Sequence, residues 1–255
     1  MATIQIQLYE YAILLNNIGS YLLQAGAAKQ AHEIFRDAID TLRASCSPGV
    51  GGDNHLAQRD FLNKSFEKVK KASSRALSPV CTGKLASVEL VCWEDLDISC
   101  TRSLSMNPSS DLGGECCVVF SMSTAFSVQQ RDHELDSSIM LYNYGLAHMG
   151  LMNNGNVRQL NRKALSLFRM SFSVLYRKIQ EGIQDDIWDM DTPVESITAL
   201  TIAILRNLVN TLLFEGMQSE AQACQTKLLE IVEALSAVED VQSEYMLPIA
   251  TAAAA

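Results

Sequence analysis

The sequence predicts a mostly α-helical protein made of antiparallel helical hairpins. The main observation is a recurring segment: residues 15–38 reappear in altered form at 205–228, after a constant shift of 190 residues, and a weaker third copy begins at Leu141. Apolar residues make up 48% of the 255 residues, which is enough for a substantial core. Segments that recur with helical spacing indicate a repeat architecture, in which each unit buries its apolar face against its neighbours.

The first hairpin is predicted over residues 1–45. Leu15, Ile18 and Leu22 lie on one face of its first helix, because residues three and four apart point the same way. Glycine inside a helix costs about 1 kcal/mol relative to alanine, so we expect close approach of the paired helix to offset that cost. The positions that define this unit are Gly19, Gly26, Ala31, Phe35 and Ala38.

An insertion of different character is predicted over residues 46–133. It opens with three glycines and a proline among residues 45–54, which indicates a loop. Residues 55–77 are predicted to be helical. The β-branched and aromatic runs at 85–93 and 115–122 predict two strands that pair as a β-hairpin. The alternative is a partly disordered insertion, because an isolated two-stranded hairpin is marginal in water.

Two further hairpins are predicted over residues 134–240, followed by a flexible tail at 241–255. In the second hairpin the second-helix signature arrives about seven residues late, which indicates an insertion in the turn near residues 153–156. Its long second helix is predicted to end at Glu181-Gly182, and the next helix to begin at Thr192-Pro193. The unit-defining positions in these two hairpins are Gly145, Ala164, Phe168, Gly216 and Ala221.

These positions resemble the tetratricopeptide repeat: a bulky residue, a glycine mid-helix, a turn, then Ala-x-x-x-Phe-x-x-Ala on the second helix. The likeness covers roughly residues 8–44, 138–176 and 197–236. The chain is similar to the divergent tetratricopeptide-like proteins of microalgae. The third unit departs furthest, since Val209 replaces the small residue and Gln225 the aromatic one. The resemblance implies stacked hairpins in a short right-handed superhelix that binds other proteins.

The composition restricts the partners and the compartment. A net charge of −9 disfavours nucleic acid as a partner, since phosphate binding needs a basic face. No membrane partner is expected, because no run of 18 uninterrupted apolar residues is present. The seven cysteines have no disulfide-framework or metal-binding spacing, so reduced thiols in the cytoplasm, or alternatively the nucleus, are expected.

Candidate catalytic and metal-binding residues are few. Asp132, His133 and Glu134 are neighbours in sequence and therefore do not share a helix face. The acidic run at 185–191 lacks the glycine and closing glutamate of a calcium loop, so a solvated acidic loop is favoured. No phosphate-binding glycine loop or nucleophile motif is present. We therefore expect no cofactor, no metal and no enzymatic activity.

The residues predicted to bind a partner follow from the resemblance, which implies that the first helix of each pair lines a concave groove for an extended peptide or a partner helix. Each unit has one asparagine at the equivalent position, namely Asn17, Asn143 and Asn207, and Arg206 and Asn210 lie beside the last of them. An amide offers two donors and an acceptor, which suits a peptide backbone. The alternative is that the asparagines bond a neighbouring helix or its loop. The predicted function is a protein-interaction scaffold, with an accessory subunit of an enzyme complex as the alternative.

Overall fold

The computed structural model describes residues 2–46, 55–76, 88–92, 117–124, 131–152, 157–184 and 194–246. Over these ranges the protein is mostly helical, as predicted. The elements in chain order are α1 (Ala2–Gln24), α2 (Ala28–Cys46), α3 (His55–Ala76), β1 (Val88–Cys92), β2 (Cys117–Ser121), α4 (His133–Gly150), α5 (Val157–Gln184), α6 (Val194–Phe214) and α7 (Gln218–Met246).

Six of the helices form three hairpins that pack against one another in chain order. The first hairpin is α1 with α2, the second is α4 with α5, and the third is α6 with α7. Helix α2 packs against α4 and α5 packs against α6, so the stack continues although the insertion separates the first two hairpins in sequence. Helix α3 lies against α1, where the rings of Tyr11 and Phe66 are 6.1 Å apart.

The first and third hairpins have the same turn. Gly26 and Gly216 both adopt a positive φ, 79° and 78°, which an L side chain rarely tolerates. The residue after each glycine donates its N–H five residues back, to Leu22 O at 2.8 Å and to Leu212 O at 2.9 Å. This pattern ends a helix by satisfying its last carbonyls. The shift of 190 residues therefore preserves the hydrogen bonds of the turn as well as the sequence.

In the first two hairpins a glycine allows a phenylalanine ring to contact the helix backbone. A Cβ built on Gly19 would lie 2.8 Å from the ring of Phe35, and one on Gly145 would lie 2.5 Å from the ring of Phe168. Both rings are fully buried. The turn of the second hairpin is longer, since α4 ends at Gly150 and α5 begins only at Val157. The predicted insertion is therefore confirmed, and it leaves the glycine–phenylalanine contact unchanged.

The strands of the insertion form, but the predicted β-hairpin is wrong. Strands β1 and β2 pair in parallel, with Val88 opposite Cys117 and Cys92 opposite Ser121. A hairpin requires antiparallel strands, whereas parallel strands need a crossover of a dozen or more residues. Residues 93–116 provide that length, and they lie outside the described part of the chain.

Two predicted helix ends are also wrong. Helix α5 continues through Gly182 to Gln184, and α7 continues to Met246, beyond the predicted start of the tail at residue 241. A single glycine costs too little to end a long helix such as α5. Helix α7 contains no proline, and the next one in the sequence is Pro248. The predicted start at Thr192-Pro193 and the acidic run at 185–191 lie outside the described residues.

One described helix is long and apolar enough, by length and composition, to span a membrane. It is the part of α6 from Ser196 to Phe214, and 67% of it is buried inside the protein. The central helix of a helical stack passes the same test, so this single segment is weak evidence for a membrane location.

Candidate functional site

The first helices of the hairpins present a set of buried polar side chains that hold an extended stretch of the same chain. We call Asn16, Asn17, Ser20, Tyr142 and Asn143 the polar face, and residues 118–123 the bound segment. Asn16, Ser20 and Asn143 are fully buried, and the Val119 and Phe120 side chains of the bound segment are fully buried as well. Polar groups that are buried this deeply are expected to be hydrogen-bonded, and these are.

Two asparagines each hold both backbone groups of one residue in the bound segment. Asn143 donates through Nδ2 to Phe120 O at 2.6 Å and accepts from Phe120 N at 3.1 Å. Asn17 does the same for Met122, donating to its O at 2.6 Å and accepting from its N at 2.8 Å. A side-chain amide can therefore replace the neighbouring strand that these backbone groups would otherwise need.

The carbonyl of Phe120 receives two more donors from α1. Asn16 Nδ2 lies 3.2 Å from that oxygen and Ser20 Oγ lies 3.1 Å from it. Asn16 Oδ1 in turn accepts from Asn143 Nδ2 at 3.0 Å, which joins the first hairpin to the second. A network of this kind fixes the positions of all its members, because a buried amide that lost one partner would be left unsatisfied.

The third hairpin reaches the bound segment through an intermediate side chain. Asn207 Nδ2 donates to the Tyr142 hydroxyl at 3.1 Å, and that hydroxyl donates to Val118 O at 3.0 Å. The asparagines of the three hairpins thus correspond to Met122, Phe120 and Val118 in turn. Each step from one hairpin to the next moves two residues back along the segment, which is the repeat of an extended strand.

The two edges of β2 have different partners. Residues two apart in a strand direct their backbone groups to the same edge, so Val118, Phe120 and Met122 all face the helices. The intervening residues, such as Val119, face β1, which pairs with β2 along its length. Both edges of β2 are therefore occupied, one by a strand and the other by side-chain amides and hydroxyls.

A buried ion pair holds the end of the bound segment. Arg131 lies 3.3 Å from Asp136, and both side chains are only 5% exposed. Arg131 also donates to the carbonyl of Ser123, and the Tyr9 hydroxyl of α1 donates to Asp136. Burial and the neighbouring Asp136 carboxylate raise the pKa of Tyr9 above its ordinary value, so the hydroxyl stays protonated and able to donate.

A separate cluster of ionisable rings lies between the first and second hairpins. The rings of His32 and His148 are 4.4 Å apart, and the Tyr144 hydroxyl is 3.4 Å from His32 Nε2. Burial, with His32 and Lys163 nearby, lowers the pKa of His148 to about 4. Burial also lowers the pKa of His32, with Arg36 and Lys163 adding to the effect. Neutral imidazoles packed edge to face are a structural contact.

The described residues give no geometric support to metal chemistry. Among them, no three histidine, cysteine, aspartate or glutamate side chains lie close enough together to hold a metal ion. The three neighbours Asp132, His133 and Glu134 have separate roles. Asp132 caps α4, the His133 ring lies 4.2 Å from that of Tyr9, and Glu134 pairs with Arg177.

Three of the five residues predicted to bind a partner contribute to holding the bound segment. Asn17 and Asn143 contact it directly and Asn207 acts through Tyr142, whereas Arg206 and Asn210 lie half-buried on α6. These amides do bond an extended backbone, but it belongs to the chain itself, which is closer to the alternative that the asparagines bond a neighbouring element. Their binding of a partner stays a prediction. Sequence reasoning missed Ser20 and Asp136, whose contacts to Phe120 and Tyr9 join residues 100 and 127 positions apart. It also missed Arg131, which bonds Ser123 and Asp136 nearby in sequence but belongs to no motif.

Comparison with known proteins adds no relative: no protein-family model, no curated protein and no solved structure matches the chain.

Proposed function

We propose that the chain is a non-enzymatic protein-interaction adaptor that binds an extended segment of another protein on its polar face. The observation that carries the proposal is the pair of two-point contacts from Asn17 and Asn143 to the backbones of Met122 and Phe120. Contacts to the main chain are not specific to the bound segment's sequence. They suit any strand of matching spacing that takes the place of the bound segment.

We further propose that the three hairpins form a short right-handed superhelix of the tetratricopeptide type. The support is the chain-order packing of the hairpins, the shared turn at Gly26 and Gly216, and the glycine–phenylalanine contacts of the first two. In such an arrangement the first helices share one face, and the three equivalent asparagines lie on first helices.

The experiment is a selection of displayed random peptides on the full chain. We expect the enriched peptides to bind the wild-type protein and to lose at least tenfold in affinity to a double Asn17→Ala, Asn143→Ala variant. The matched control is Asn63→Ala, which removes an exposed asparagine of α3 and should leave affinity unchanged. Circular dichroism establishes that the double variant keeps its helices.

Two outcomes would contradict the proposal. One is a selection that enriches no peptide above background. The other is a set of peptides whose affinity is the same for the wild type and the double variant, since these would bind a different surface.

A further inference from the structure

We infer that the bound segment is a replaceable internal ligand whose side chains define the partner: an extended peptide with a β-branched residue, an aromatic residue and an unbranched apolar residue at alternate positions. The inference rests on the proposed function and adds to it the class of peptide and the segment that the peptide replaces. The peptide takes the place of residues 118–122, where Val118, Phe120 and Met122 occupy those three positions.

The backbone contacts set the conformation and direction of the peptide but not its sequence. The polar face meets main-chain atoms at Val118, Phe120 and Met122. In a peptide that runs the other way the N–H and C=O of each residue exchange places, so the three donors that now meet Phe120 O would meet an N–H instead. The incoming strand therefore runs parallel to β1, as β2 does.

The side-chain surroundings supply the selectivity, above all at the central position. The ring of Phe120 is fully buried, with its centroid 5.6 Å from that of Tyr142. Tyr142 lies 5.7 Å from Phe168, whose ring rests on Gly145. Aromatic rings at these distances attract one another, and an alanine there would leave a void. A charged residue would be buried without a partner.

The internal segment competes with any external peptide because it is tethered to the protein. Tethering gives a segment an effective concentration in the millimolar range, so a free peptide of equal intrinsic affinity binds the wild-type chain weakly, and a selection on that chain enriches peptides of higher intrinsic affinity than the bound segment. Weakening the internal segment while keeping the polar face should expose the full affinity of the face. Phe120→Ala and Met122→Ala make that change, and neither alters the polar face.

The probe is a fluorescent synthetic peptide with the sequence of residues 117–124 and serine in place of Cys117. Its binding to the full chain is followed by anisotropy. We expect Phe120→Ala and Met122→Ala to bind it at least tenfold more tightly than the wild type does. Adding Asn143→Ala to either variant should cancel the gain, because the two-point contact to the central residue is gone. A control peptide with alanine at the phenylalanine position should bind at least tenfold more weakly.

The inference is overturned if a variant that keeps the helical circular dichroism of the wild type binds the peptide no more tightly. If Phe120→Ala loses its helices, Met122→Ala decides by the same criterion. A concentration-dependent dimer that forms by exchange of residues 117–124 would assign the face to a second copy of the chain and overturn the assignment to another protein.

The two proposals fail separately. Selected peptides that need the polar face for binding but lack the alternating apolar pattern would leave the adaptor function standing and refute the internal-ligand inference. Tight binding of the 117–124 peptide by Phe120→Ala, together with an empty selection on the wild type, would show that the segment is replaceable but refute its replacement by another protein.

Discussion

In the first hairpin Gly19 lies directly beneath the ring of Phe35, whereas Val209 and Gln225 occupy the corresponding positions of the third hairpin. The turns of the two hairpins nevertheless match hydrogen bond by hydrogen bond. The turn is thus a local property of the Leu-Leu-x-x-Gly sequence. The close helix approach is a separate property that depends on the glycine–phenylalanine pair, and the bound segment lies directly against the first two hairpins, which both have that pair.

The largest expected effect comes from removing the Phe120 ring, which packs against Tyr142 of the second hairpin. Phe120→Ala should lower the free energy of unfolding by about 3–5 kcal/mol, the usual range for a buried phenylalanine. Urea denaturation measures it. The matched control is Phe66→Ala on α3, where the ring is 49% exposed and the loss should be well under half as large. Equal losses would mean that the segment is not part of the core.

Acid should weaken the junction between the first and second hairpins, which contains His32 and His148. An unfolded histidine titrates near pH 6.5, whereas the folded His148 titrates at about 4. Between these values only the unfolded state binds the proton, so stability is full above about pH 6.5 and falls by up to about 3 kcal/mol towards pH 4.

The check is the urea midpoint measured from pH 7.5 to 4.5. His148→Leu should remove much of the pH dependence between 6.5 and 5. His133→Gln, which changes an exposed histidine of α4, should keep it. A wild-type midpoint that stays constant from pH 6.5 to 5 would contradict the burial of the His148 ring.

A larger side chain beneath the buried ring should push apart the two helices of the second hairpin, a contact that the third hairpin lacks. Gly145→Leu should destabilise by about 1–3 kcal/mol through overpacking, since even a Cβ would lie 2.5 Å from Phe168. Gly19→Leu should destabilise by a similar amount, because a Cβ there would lie 2.8 Å from the ring of Phe35. The corresponding Val209→Leu should cost less, because no equivalent ring lies opposite. Equal melting temperatures for Gly145→Leu and the wild type would refute the close approach.

The smallest expected effect belongs to the shared turn. Gly216→Ala should cost about 1 kcal/mol, the strain of a positive φ for an L residue, because nothing lies within 4 Å of the added Cβ. Gly26→Ala should show the same backbone strain if the two turns are equivalent. Thermal melts of both variants measure it. A shift for one turn alone would show that the likeness is limited to hydrogen bonding.

The helical hairpins could be predicted because their signals are local. Gly19 with Phe35, and Gly145 with Phe168, stand at spacings that a helix pair dictates, so the contacts follow once the turn is known. The parallel pairing of β1 with β2 could not be predicted, because it depends on a crossover whose path no local pattern specifies.

The candidate site was predictable in its chemistry but not in its occupant. An asparagine that recurs inside a helix indicates a need for hydrogen bonds, and Asn17 and Asn143 do bond an extended backbone. The identity of that backbone, residues 118–123, could not be predicted. It depends on contacts that join α1 to residues 100 or more positions away. Sequence periodicity carries no information at that range.

The central claim is that side-chain amides hold the backbone of the bound segment, and amide hydrogen exchange at Phe120 and Met122 tests it most directly. Both N–H groups donate to asparagine oxygens, that of fully buried Asn143 and that of half-buried Asn17, so both should exchange slowly in the wild type. Asn17→Ala should accelerate exchange at Met122 more than at Phe120. Exchange of both amides in the wild type at the rate of an unstructured peptide would contradict the account.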